Sequence, residues 1–299
     1  MSATRQISSS TFGAIGFGAM GISAFYGEVE PDEERFKVLD AAHASGCTFW
    51  DSADVYMDSE ELIGKWFQRT GKRVDIFLCT KFGFVRETLD TRLARVCTRC
   101  GGVQPEASLR GPHMHRADST TVRAMAELVR EGKVKHLGLS EYSPFTLDIE
   151  DPKIALLRTA RELGVKIVAY SPLGRGLLTS HIRSPDDLAP DDFRRQIPRY
   201  SASNFPDILH VVDSLKSIGC TCMIACDIIP IPGTKKIKYL EENLAASSFT
   251  LSAEDVAAVR EWAIKADAAG QSAGLRYPPE MWKHMFVETP ADASESAAS

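Results

Sequence analysis

At 299 residues the chain is long enough for one large α/β barrel, a fold that commonly runs to about 250 residues. Hydrophobic residues make up 44% and charged residues 25%, as in an ordinary soluble globular protein, and no run approaches the ~18 apolar residues of a membrane span. A net charge of −5 and a pI near 5.9 leave no basic footprint for nucleic acid. The opening MSATRQISSS lacks the apolar core of a signal peptide, so a cytoplasmic location is expected. The seven cysteines are odd in number and scattered, which predicts reduced thiols. Cys97-Thr-Arg-Cys100 and the group Cys220, Cys222 and Cys226 have redox or zinc spacings, but neither is supported by paired histidines, and no metal is expected.

In chain order, Phe12 to Met20 reads as a first barrel strand and its exit. Gly16-Phe-Gly18-Ala-Met20-Gly21 fits G-x-G-x-x-G, but the open-sheet dinucleotide fingerprint needs a helix to begin within the glycines. Here Ile22 to Glu30 reads as a loop, so the glycines are expected to let backbone approach a cofactor at a strand end. A helix is predicted from Pro31, with Asp32, Glu33 and Glu34 in its first turn, burying Phe36, Leu39 and Ala42 and stopping at Gly46. The apolar run Cys47 to Trp50 ends on Asp51, a loop carries Tyr56, and a helix opens at Asp58. Asp58 can cap the free N–H groups and Glu61 can close a capping box, while Leu62, Ile63, Trp66 and Phe67 recur on one buried face. A strand Val74 to Thr80 then ends on Lys81.

Asp51 and Tyr56 by themselves also read as a turn residue and a half-exposed loop aromatic. With Lys81 they form a recognisable device. A phenol with a pKa of about 10 is a poor proton donor near neutrality; a nearby ammonium lowers that pKa, and a carboxylate keeps the ammonium charged. The phenol can then protonate a carbonyl oxygen as hydride reaches its carbon. His115, in PHMHRAD, is a fourth candidate that could donate to the same oxygen, with a solvated loop histidine as the alternative.

Asp51, Tyr56, Lys81 and His115, with GFGAMG, DSADVY, TKFG, GKVKHLGLSE, YSPLGRG and IPGTKKIKYLEEN, resemble the blocks of the aldo-keto reductases. The resemblance spans roughly Thr11 to Val85 and His115 to Pro279. It implies a (β/α)8 TIM-type barrel, NADP(H) as cofactor, the four residues as a catalytic tetrad, and an aldehyde or ketone as small-molecule substrate. YSPFTLDIE and RYPPEMW are most similar to pyridoxal- and aryl-aldehyde-type members. By the same resemblance Gly18 and Met20 line the cofactor, Ser140 meets the carboxamide, Tyr170 stacks on the nicotinamide, and Ser171, Leu173 and Gly174 lie near the pyrophosphate. A helix opened by Gly233, Thr234, Lys235 and Lys236, and bearing Lys238, Glu242 and Asn243, is a natural phosphate site. Its three lysines within four positions favour the 2′-phosphate of NADP, with a solvated basic turn as the alternative.

The remaining elements are helices at Thr121–Glu131, Pro152–Leu163, Phe205–Ile218 and Leu251–Ala268. Strands are predicted at Lys133–Ser140, Val165–Tyr170 (buried) and Ile228–Pro232, and a polar loop at Ser180–Asn204. Thr88 to Arg110 has weak apolar periodicity, and Ser140-Glu141 runs directly into Tyr142-Ser143-Pro144, although parallel neighbours need a crossover of a dozen or more residues. The barrel is therefore expected to be incomplete around its fourth to sixth strands, with shortened stretches at 86–114, 140–142 and 219–227. Residues 1–286 are expected to form one domain, with Arg276 to Phe286 closing over the substrate, and 287–299 a disordered tail. Two other readings remain: a catalytically weak NADP-binding module resembling ion-channel β subunits, and a truncated, non-functional family member.

Overall fold

A computed structural model of the chain describes residues 4–82, 93–98, 119–140, 156–217 and 228–270. It opens with an antiparallel hairpin, β1 (Thr4–Ile7) and β2 (Ser10–Gly13), paired from Thr4 with Gly13 to Ile7 with Ser10. Phe12 belongs to this hairpin, so the expected first barrel strand contracts to β3 (Phe17–Gly18). One helical turn, α1 (Met20–Ser23), precedes a loop and α2 (Asp32–Ala44). Then come β4 (Phe49–Asp51), α3 (Ser59–Thr70), β5 (Phe77–Phe82) and β6 (Leu93–Thr98). They are followed by α4 (Ser119–Arg130), β7 (His136–Ser140), α5 (Leu156–Glu162) and β8 (Ile167–Ala169). The described chain ends with α6 (Phe205–Ser217), β9 (Ile228–Pro230), α7 (Ile237–Ala245) and α8 (Ala253–Gly270). None of the described helices is long and apolar enough to cross a membrane.

β3, β4 and β5 pair in parallel, and β8 pairs in parallel with β9. The two groups meet where the Gly16 amide donates to the Pro230 carbonyl (2.9 Å) and the Gly18 amide to the Pro232 carbonyl (3.4 Å). The glycines serve this seam. A Cβ at Gly16 would lie 2.8 Å from the Phe49 carbonyl oxygen, and one at Gly18 would lie 2.6 Å from that of Ile231. Close strand-to-strand approach is therefore a sufficient reason for both.

Strand period fixes which side chains face inward. Phe49 and Phe77 stack at 5.2 Å and pack with Phe12, Cys79, Ile229 and Ile231, forming the inner core. Trp50, between Phe49 and Asp51, faces the other way and packs with Leu62, Ile63 and Trp66 of α3, Val38 and Leu39 of α2, and Leu240 of α7. The same alternation carries Asp51 and Lys81 to the inner face, at the carboxyl end of the sheet.

β6 departs from expectation, because no strand is predicted within Thr88–Arg110. It runs antiparallel to both β5 and β7. Ten residues separate Phe82 from Leu93, fewer than a parallel crossover needs, so the chain returns beside β5 in the opposite sense. β7 then regains the direction of β5. The segment expected as a polar loop also differs, for Leu177, Ile182, Leu188, Ile197, Tyr200 and Phe205 form a core of their own around short 3₁₀ turns. β8, expected to be buried, is half-exposed along its length.

Candidate active site

Asp51 ends β4, and Lys81 lies near the end of β5 rather than just beyond it. The Lys81 ammonium donates to Asp51 Oδ1 and to the Ser52 carbonyl, each at 2.6 Å, and both side chains are almost wholly buried. Tyr56 sits in the loop after β4, half-buried, with Lys81 Nζ 4.9 Å from its ring centroid. A carboxylate and a carbonyl thus fix the ammonium, and the ammonium lies against the phenol. His115 lies outside the described residues.

The capping box expected at α3 does not form. Asp58 makes no side-chain cap; its two oxygens accept from Arg35 Nη1 and Nη2, both at 2.8 Å, while Glu61 pairs with Lys65 at 2.9 Å. Arg35, on the buried face of α2, also donates to Ser23 Oγ at 3.1 Å and pairs with Asp32. Its hydrogen bonds to Asp58 raise its own pKa and lower that of Asp58. This cluster ties α1, α2 and the loop carrying Tyr56 together. Sequence reasoning missed it, because Asp58 lies 23 positions from Arg35 and no local spacing announces the pair.

Backbone strain gathers at this end of the molecule. Of the non-glycine residues described with left-handed φ, Phe25 (+67°), Met57 (+54°), Ser171 (+50°), Arg175 (+55°) and Ser180 (+62°) lie in loops that leave carboxyl ends of strands. Such residues persist only where the surroundings hold them, and they concentrate at functional sites. The Phe25 ring meets Tyr56 edge-on at 6.5 Å and Phe193 at 6.1 Å. Arg194 lies 5.0 Å from the Tyr26 ring centroid and pairs with buried Asp192 at 2.6 Å. Burial opposes the Asp192 charge, but the Arg194 hydrogen bonds and charge outweigh it and hold the carboxyl below its usual range. Burial likewise pushes the Tyr26 and Tyr200 phenols up.

Of the residues expected to line a cofactor, Gly18 lies at the β3–β9 seam and Met20 is half-buried at the start of α1. Ser140 ends β7, in register with Leu93. Tyr170 is 36% exposed just past β8, and Ser171, Leu173 and Gly174 follow in a strained turn. Gly233 and Thr234 lead into α7, where the Thr234 hydroxyl accepts from the Lys236 amide at 3.1 Å. Lys238 and Glu242 lie 3.8 Å apart on the exposed side of α7, with Asn243 half-buried beyond them. Lys235 points elsewhere, its amine donating to the Tyr26 carbonyl at 2.7 Å and the Glu28 carbonyl at 2.5 Å. Burial lowers its pKa.

The family model described as "Aldo/keto reductase family" matches residues 14–151 and 142–264. The two stretches overlap around 142, where a crossover is expected to be missing. The chain is 54% identical to "Aldo-keto reductase str7" of Strobilurus tenacellus, over 89% of this chain and 94% of that protein. It is 36% identical to "Aldo-keto reductase yakc [NADP(+)]" of Schizosaccharomyces pombe, over 96% and 98%. These alignments run over 322 and 345 positions, more than the 299 residues of the chain, so both relatives contain residues that it skips. Among solved structures, glycerol dehydrogenase AKR11B4 of Gluconobacter oxydans superposes with a TM-score of 0.66 at 19% identity, covering 97% of this chain and 98% of that one. An aldo/keto reductase of Klebsiella pneumoniae in complex with NADP and acetate gives 0.55 at 18%, covering 87% and 95%. At such identities the likeness is one of fold, the (β/α)8-type barrel.

Proposed function

The chain belongs to the aldo/keto reductase family, and from that premise we propose that Tyr56, Lys81 and Asp51 carry out the NADPH-dependent reduction of an aldehyde or ketone. Membership makes it an NADP-dependent oxidoreductase acting on small carbonyl compounds. The observation that carries the residue assignment is the buried Asp51–Lys81 pair with its ammonium against the Tyr56 ring. Tyr56 gives its proton to the carbonyl oxygen. Lys81 stabilises the phenolate left behind, and Asp51 with the Ser52 carbonyl keeps Lys81 charged and aimed. On the resemblance of its sequence block we assign His115 the role of orienting the carbonyl. When bound, NADPH supplies the hydride.

The residues present suit that cofactor. Tyr170 offers an exposed ring for stacking, beside the strained turn of Ser171, Leu173 and Gly174, and Ser140 ends a neighbouring strand for the carboxamide. Gly18 and Met20 border the site at the β3 exit. Gly233 and Thr234, leading into α7, with Lys238, Glu242 and Asn243 on that helix, are the residues we assign to the 2′-phosphate end of the cofactor. Lys235 contributes through its grip on the Tyr26 and Glu28 carbonyls, which orders the loop beside that helix end.

Pyridoxal and aryl aldehydes are the substrate class we favour, on the likeness of YSPFTLDIE and RYPPEMW to reductases of such aldehydes. Reduced-nicotinamide absorbance, followed with pyridoxal, benzaldehyde and glyceraldehyde and with NADPH against NADH, tests the reading. NADPH-preferring turnover, fastest with an aromatic aldehyde, is expected. Saturable NADPH binding without turnover of any of the three would indicate a non-catalytic binder instead.

A further inference from the structure

The turn that carries Tyr56 is fastened to the sheet where it starts. The Ser52 amide donates to the Cys79 carbonyl at 2.8 Å, and the Asp54 amide to the Lys81 carbonyl at 2.9 Å. The Tyr56 amide then donates to the Ala53 carbonyl (3.1 Å), and the Tyr56 carbonyl accepts from the Ser59 amide (3.0 Å). This last bond spans Met57, which is 63% exposed and has φ +54°, a conformation that a non-glycine residue keeps only where its surroundings hold it. At the far end of the turn a hold comes from another helix. Asp58 gives its two carboxylate oxygens to Arg35 of α2, each at 2.8 Å. Nη1 of Arg35 also donates to Ser23 Oγ at 3.1 Å and Nη2 to Asp32, so all four terminal N–H groups of the fork have acceptors. The Arg35 side chain is 6% exposed and that of Asp58 40%, so the buried arginine is the fixed member of the pair.

We propose that Arg35 is a positioning residue for the reduction, its two-bond hold on Asp58 setting the turn from Ala53 to Ser59 and with it the place of the Tyr56 phenol. This rests on the reading of Tyr56 as proton donor and deepens it. Proton transfer needs the phenol within hydrogen-bond reach of the carbonyl oxygen, and a displacement of about 1 Å can cost ~100-fold in rate. A planar guanidinium fixes a carboxylate in direction as well as distance, which an ammonium does not. Arg35 acts through Asp58, without meeting substrate or cofactor.

The test compares wild type with Arg35→Met, Arg35→Lys, Asp58→Asn and the double variant Arg35→Met/Asp58→Asn. The readout is single-turnover oxidation of bound NADPH by benzaldehyde and by propanal, which reports the chemical step even where product release limits kcat. NADPH affinity is followed by fluorescence quenching, and folding by near-UV circular dichroism. The rate for Arg35→Met is expected to fall about tenfold or more, alike for both aldehydes because the proton donor is displaced, with NADPH affinity within about twofold of wild type. Arg35→Lys should fall between. Asp58→Asn leaves Arg35 its bonds to Ser23 and Asp32, so it is expected to fold and still to slow the reaction. The double variant should be no slower than Arg35→Met, since both changes break one link. Rates within about twofold of wild type in Arg35→Met, or in Asp58→Asn should Arg35→Met not fold, overturn the proposal. So does a fall matched by an equal loss of NADPH affinity, or one that adds in the double variant. Tyr56→Phe, run alongside, separates the two claims. A slow Tyr56→Phe beside a fast Arg35→Met overturns this proposal alone. A Tyr56→Phe as fast as wild type, or a wild type that reduces neither aldehyde, overturns the reading of the site and this proposal with it.

Discussion

The Asp51–Lys81 pair has two opposing properties: it is costly to bury and more costly to break. Each partner is 3% exposed, and the 2.6 Å bonds from Lys81 to Asp51 Oδ1 and the Ser52 carbonyl offset the loss of hydration. Replacing Lys81 by Met removes the cation and leaves the carboxylate buried without it. Chemical denaturation of Lys81→Met should show a loss of about 3–5 kcal/mol, much of it regained in the double variant Asp51→Leu/Lys81→Met. A double variant no more stable than the single one would mean that the pair is not the source of the loss. Both residues were legible in the sequence, because each stands at the end of a short apolar strand and two-residue periodicity carries it to the same face. Phe25 was not legible: nothing in Ser23-Ala24-Phe25-Tyr26 announces a left-handed backbone at a phenylalanine, a residue that usually avoids it.

Between elements, charge fixes what capping was expected to fix. The spacing of Asp58 and Glu61 suits a capping box, but Arg35 is available to Asp58 from α2 and offers two charge-assisted bonds where a cap offers one. Local pattern could not show this competition, which depends on how two helices pack. It has a consequence for pH. Asp58 is held below its usual carboxyl range by its hydrogen bonds to Arg35, and Asp32 by those to Lys65 and then Arg35. A lowered folded pKa stabilises the protein above the unfolded value of 3.8, and that stability is lost as the pH falls through the folded value. Arg35→Met should therefore be less stable than wild type at neutral pH, by about 1–2 kcal/mol given that Asp58 is partly exposed. Its stability should change less than that of wild type below pH 3.8. Parallel pH dependences of the denaturation midpoint in the two proteins would rule this linkage out.

For the molecule as a whole, the parallel barrel was readable wherever strand, loop and helix follow one another at full length, as from β3 to β5 and from β9 to α7. It was unreadable where the crossover is too short. There the chain inserts β6 against the direction of its neighbours, a result of loop length that apolar periodicity does not encode. The core around Leu177, Ile182 and Tyr200 escaped notice for a related reason, since irregular turns have no period to read. Despite the interruption, the inner core, the β3–β9 seam and the Asp51–Lys81–Tyr56 arrangement are all in place, which is the basis for an active reductase. The most direct measurement is NADPH oxidation with an aromatic aldehyde by wild type and by Tyr56→Phe, alongside NADPH binding by fluorescence quenching. The account predicts saturable turnover by wild type and a loss of about 10²–10⁴-fold in kcat for Tyr56→Phe, with NADPH affinity retained. Turnover by Tyr56→Phe at the wild-type rate, or an inactive wild type that binds NADPH, would contradict it.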